Sequence, residues 1–109
     1  MNKKKIMLKI INKENPYEYT GNCEIVKDII KFNDNENSYL FDLCIERFIK
    51  ENKKEKFILD FKNSDITINE DDKILKIPIE IIDKKIDFLN IDIKYKIDNN
   101  IINILIKEV

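Results

Sequence analysis

Leu40-Phe41-Asp42-Leu43-Cys44-Ile45-Glu46-Arg47-Phe48-Ile49 is the stretch on which the fold class turns. Leu40, Phe41, Cys44, Ile45, Phe48 and Ile49 recur in the rhythm that lays an apolar stripe along one side of an α-helix. Asn37 or Ser38 can cap the start by accepting from orphan N–H groups, and Glu46 precedes Lys50 by one turn in the favourable order. The pattern fades before Lys53-Lys54-Glu55-Lys56, which carries no apolar residue. The expectation is one amphipathic helix at about 38–52, the only helix in the chain.

On both sides of that stretch the period drops to two, the signature of half-buried strands. Toward the N-terminus, Ile6, Leu8 and Ile10 alternate, Asn15-Pro16 turns, and Tyr17, Tyr19, Gly21, Cys23 and Ile25 share one face of a second strand. A tight connection at Lys27-Asp28 leads to a short strand from Ile29 to Phe32, closed by the polar run Asn33–Asn37.

Toward the C-terminus, Phe57, Leu59 and Phe61 alternate, then Ile66 and Ile68, then Leu75 to Ile81 after the loop Asn69–Asp72. A break at Asp83-Lys84 precedes Ile86 and Phe88. Leu89, Ile91, Ile93, Tyr95 and Ile97 continue one residue out of phase, as a β-bulge would make them. Asp98-Asn99-Asn100 suits a hairpin turn. Pro78 cannot donate to a ladder, so its strand is an edge, or the proline sits at a bulge or with its nitrogen facing outward. The last strand, Ile101 to about Glu108, is apolar on both faces and calls for cover on both.

These elements predict an α+β fold over one domain, residues 1–109. Its body is a mainly antiparallel β-meander of about eight strands, a curled sheet or small barrel, with the helix packed on it. In outline this resembles lipocalin-like barrels, a likeness of architecture that covers no motif and implies no activity.

Composition bounds the function. The chain has 24 Ile, 19 Lys and 14 Asn, one Gly, and neither Ala, His, Gln nor Trp. A very AT-rich genome is the simplest cause. Lacking His, the chain has neither the usual general base nor the commonest transition-metal ligand. No Cys-x-x-Cys supports zinc or redox chemistry, and a lone Gly21 cannot build a phosphate loop.

Asp34-Asn35-Glu36-Asn37-Ser38 looks like the start of a calcium loop, but Tyr39 and Ile45 occupy the positions where that loop needs Gly and Glu. Glu70-Asp71-Asp72 reads as a solvated hairpin tip. Asp60 falls on the face opposite Phe57, Leu59 and Phe61, so it is expected in solvent. No catalytic, metal or cofactor-binding residue is assigned, no cofactor is implied, and no partner-binding residue is singled out.

Arg47, Lys50, Lys53 and Lys54 with Lys3, Lys4 and Lys5 could form a basic patch. The interleaved acids and a net charge of −1 argue against a nucleic-acid partner. Tyr17 and Tyr19 are assigned to the core rather than to a binding surface. Cys23 and Cys44 read as reduced core thiols of a cytoplasmic protein, since no signal-peptide core and no membrane-length apolar run is present.

The functional expectation is a small non-enzymatic interaction protein that binds a macromolecular partner, a protein or a second copy of itself. An accessory or inhibitor protein of a bacterium or phage is one such role. The alternative is a β-barrel that binds a small apolar ligand in its interior.

Overall fold

The computed structural model describes residues 2–109, and among them there is no helix. In chain order the strands are β1 (Asn2–Ile11), β2 (Tyr17–Val26), β3 (Ile29–Asn33), β4 (Ser38–Asp42), β5 (Arg47–Glu51) and β6 (Glu55–Asp60). They continue as β7 (Asp65–Glu70), β8 (Lys73–Pro78), β9 (Glu80–Asp87), β10 (Asn90–Ile97) and β11 (Asn100–Glu108). All lie in one antiparallel sheet ordered β8-β7-β6-β5-β4-β3-β2-β1-β11-β10-β9. The sheet curls into a nearly closed barrel.

The closure follows from strand direction. Each neighbour in the sheet is antiparallel, so directions alternate outward from β1 both ways. Counted from β1 on either side, β8 and β9 therefore run the same way, with only Ile79 between them. They are two halves of one long leg, Lys73–Asp87. The upper half pairs with β7 and the lower half with β10. The pivot is anchored: Ile79 is buried and its N–H donates to the Ser64 carbonyl at 2.9 Å. No ladder joins β8 to β9, which leaves a seam.

One face of every strand turns inward, with Ile6, Leu8, Ile91, Ile93, Ile104 and Ile106 fully buried on the β1, β10 and β11 side. The opposite wall is aromatic. Phe32 stacks on Tyr39 with centroids 5.0 Å apart, Tyr39 on Phe48 at 6.0 Å, and Phe41 meets both Phe48 and Phe61 at 6.1 and 6.2 Å. Phe61 then reaches Tyr95 of β10 at 6.3 Å, across the interior behind the seam. Such offset ring pairs add to the transfer free energy of burial.

The expected α+β class is overturned. Residues 38–51 form the β4–β5 hairpin, in which Phe41 pairs with Phe48 inside and Leu40 with Ile49 outside. In the hairpin the doublets Leu40-Phe41 and Phe48-Ile49 are strand residues on alternate faces and Cys44-Ile45 lie in the turn, so their spacing copies that of a helical stripe without forming one. What separates the two is Asp42. Its Oδ1 accepts from the N–H groups of Cys44 and Ile45, closing the chain into a turn instead of a helix. Cys44 is exposed there and not a core thiol, whereas Cys23 is buried.

The same device recurs. Asn12, Asp34, Asn52 and Asp60 each accept from the N–H groups two and three residues on. With a single glycine, the chain also places non-glycine residues at positive φ in its turns, among them Glu46, Ser64, Asp71, Asp72 and Leu89.

Eleven strands replace the expected eight, because the helix becomes β4 and β5 and the long leg divides at Ile79. The phase slip at Phe88-Leu89 is a tight turn with Leu89 at φ 54°, not a bulge. The bulge lies at Ile82, between the pairs Asp83–Lys94 and Ile81–Tyr95. No helix covers the outer face of β11. Leu105 there is half-buried between Lys9 and Asp92, and Ile101 is exposed.

Candidate interaction edges

Where the sheet fails to pair, backbone polar groups stand free, and those places are the candidate sites. Individual backbone bonds fix which residues point where, because hydrogen-bonding direction alternates along a strand. At β8, Ile79 N–H faces β7, so Lys73, Leu75 and Ile77 do too. Ile74, Lys76 and Pro78 then face the seam. Pro78 thus sits on an edge with its nitrogen outward, the position where proline costs the sheet no bond. Ile74 and Leu75 are 76% and 56% exposed.

The lower half of the seam is closed by side chains. Lys84 of β9, opposite the buried Ile93 and so on the inner face, places its Nζ 2.6 Å from Glu46 Oε1 and 3.5 Å from the Phe61 carbonyl. The upper half, along β8, has no such latch among the described residues.

The second failure of pairing lies between β2 and β3. Val109 N–H donates to the Lys5 carbonyl, so odd residues of β1 face β11 and even ones face β2. In β2 the odd residues therefore bond to β1, and Glu18, Thr20, Asn22, Glu24 and Val26 face β3. Only Glu24 to Val26 find partners there. Above them the strands diverge, leaving the main-chain groups of Glu18, Thr20 and Asn22 without a strand partner among the described residues.

A groove of about 570 Å³ opens through the wall at this split, lined in part by Asn22, Cys23, Phe32, Asn33, Leu40 and Ile49. Its inner side is plugged by the Tyr19 ring stacked on Phe32 at 5.8 Å. That ring lies over Gly21, where a Cβ would collide with it. Tyr17 and Tyr19 thus pack against the core, as assigned.

At the barrel mouth a clasp spans the split. The Tyr17 and Tyr39 hydroxyls both donate to Asp34 Oδ2, while Asp34 Oδ1 accepts from Glu36 and Asn37 N–H. Partial burial alone would raise the Asp34 pKa, but these donors outweigh it and hold the carboxyl down to about 2. Burial and the shared carboxylate push both tyrosines up. Tyr95, without a partner, is raised to about 12 by burial alone.

The other residues singled out from the sequence are dispersed. Asp60 keeps to the outer face but is 5% exposed, which corrects its placement in solvent. Burial would raise its pKa; the donors Asn63, Arg47 and Lys62 overcome that and lower it. Arg47 is thereby committed to Asp60 at 3.1 Å. Lys50 points inward over the Phe57 ring, and Lys53 and Lys54 lie in the turn at the other end of β5, so no single basic patch forms. Asp71 and Asp72 form the β7–β8 turn at positive φ.

Among the described residues no cluster of His, Cys, Asp or Glu is arranged to hold a metal ion, and no helix is long and apolar enough to cross a membrane. Sequence reading missed the free edge of β2, since pairing partners, unlike alternation, leave no local trace. Comparison with family models, curated proteins and solved structures finds no match.

Proposed function

We propose that this chain is a small non-enzymatic interaction module that docks a protein by strand addition at β8, with a second copy of itself as the partner. The observation that carries the reading is the open upper seam: an unpaired strand edge bearing Ile74, the most exposed large apolar side chain among the described residues. Strand addition draws affinity from main-chain bonds and specificity from alternate side chains.

The β8 sequence complements itself. In an antiparallel pair centred on Leu75, Ile74 and Lys76 of each copy exchange main-chain bonds. Lys76 then faces Ile74 of the partner, Lys73 faces Ile77, and Leu75 meets Leu75, so no like charges stand directly opposite. Pro78 ends the ladder, which keeps the contact short and the dimer concentration-dependent. Against the alternative of an apolar-ligand barrel stands the ring series from Phe32 to Tyr95, which fills the space such a ligand needs. The buried Cys23 and the exposed Cys44, both free thiols, suit a reducing compartment.

Light scattering over a dilution series tests this directly. Lys76→Pro removes the outward N–H while leaving the bonds to β7 intact. The reading requires a wild-type dimer that dissociates on dilution and a folded, monomeric variant. A wild-type monomer at every concentration, or an equally dimeric variant, would refute it.

A further inference from the structure

The split between β2 and β3 is a second binding site, independent of β8, and we infer that it takes an extended peptide segment of another protein as an inserted strand. The free groups themselves state the ligand chemistry. Glu18, Thr20 and Asn22 offer N–H and C=O groups at two-residue spacing along β2, a row that only another extended main chain can match. A globular surface or a small molecule satisfies one or two of them and leaves the rest desolvated.

The facing wall is prepared in the same sense. Asn33 of β3 stands where a partner for Asn22 would be expected, yet β3 pairs with β2 only as far as Lys31. The space between is bordered by the rings of Phe32 and Tyr39 and by the outward Leu40 and Ile49. An inserted strand therefore meets the rings of Phe32 and Tyr39 on its inner side, while Leu40 and Ile49 lie on the outer surface beyond β3. Around it, Lys3, Lys31 and Lys56 are interleaved with Glu24 and Glu51. No single sign dominates, so the rim selects neither a strongly acidic nor a strongly basic ligand. The expected segment is short, near neutral and alternating, with β-branched or aromatic residues at the positions that face Phe32 and Tyr39.

Tyr17 and Tyr39 on Asp34, with Tyr19 on Phe32, tie the two walls from the inside. The core is sealed beneath the groove, and the strand edge remains accessible above it.

The probe is a displayed library of random eight-residue peptides, selected against the whole protein. Enriched peptides are then titrated by calorimetry against the wild type, Thr20→Pro and Lys76→Pro. Thr20→Pro deletes a free-edge N–H and spares the β1 ladder, so affinity should fall tenfold or more; Lys76→Pro should change it less than twofold. Should Thr20→Pro fail to fold, the test moves to the peptide, where N-methylation at alternate residues must abolish binding on one parity and spare it on the other. Failure to enrich any binder, binding retained by Thr20→Pro, or indifference to N-methylation overturns the site.

Discussion

The strands around the chain termini and those in the middle of the chain solve the same problem with different means. β9, β10, β11, β1 and β2 are eight to ten residues long, and their ladders run almost unbroken over an aliphatic core. β3 to β7 are five or six residues long. They rely on Asx turns at Asp34, Asp42, Asn52 and Asp60 and on stacked rings. Long strands accumulate enough pairs to fix their register by alternation alone. Short ones need a side chain at each corner to say where the chain reverses.

The largest effect should come from the terminal block. β11 joins β1 to β10 and buries Ile104 and Ile106. Deleting residues 101–109 removes two ladders at once and should abolish the cooperative thermal transition seen by circular dichroism. A soluble truncation that still melts cooperatively would show that the middle block folds unaided, and the contrast between the regions would collapse.

Single side chains weigh more in the middle. Phe41, fully buried, touches the rings of Phe48 and Phe61, so Phe41→Ala should cost about 3–5 kcal/mol in urea titrations. In the terminal block Ile93→Ala, at an equally buried site, should cost less than Phe41→Ala within the range of about 2–5 kcal/mol. Equal losses at the two sites would deny the aromatic series any special role.

Asp34 supplies the smallest and most specific difference. Its folded pKa of about 2 lies below the ordinary carboxylate value of roughly 4. A depressed carboxylate stabilises the fold above the unfolded pKa and loses that contribution as pH falls through the folded one. The window is therefore from about pH 4 down to about pH 2, and the amount is about 1 kcal/mol once solvent screening of this half-exposed group is allowed for. Asp34→Asn should reduce the slope of stability against pH in that window, leaving the share that the likewise depressed Asp60 contributes; an unchanged acid limb would mean that the clasp does not hold β2 to β3.

How much of this was legible beforehand follows the same division. Alternation revealed β1, β2 and β11 within a few residues, and the inward face of Tyr17 to Ile25 was read correctly, but β10 was run together with the end of β9. Residues 38–51 were misread because two strand doublets on either side of a turn, Leu40-Phe41 and Phe48-Ile49, reproduce the spacing of a helical stripe. Asp42, ten residues before Asn52 and eighteen before Asp60, was the available signal for a corner. Pro78 left an edge, a bulge or an outward nitrogen open, and it lies on the terminal strand of the sheet with its nitrogen outward. The sequence of β8 and β9 could not show that they form one leg, because that depends on counting strand directions around a closed sheet. The unpaired half of β2 was hidden for a related reason: Glu18, Thr20 and Asn22 look like any solvent-facing polar residues.

Backbone amide hydrogen exchange, resolved residue by residue by NMR, tests the two open edges most directly. Glu18, Thr20, Asn22, Ile74 and Lys76 should exchange fast in dilute protein, while their neighbours Tyr19, Gly21, Cys23, Leu75 and Ile77 are protected. Uniform protection along β2 and β8, or uniform exchange without alternation, would contradict the account.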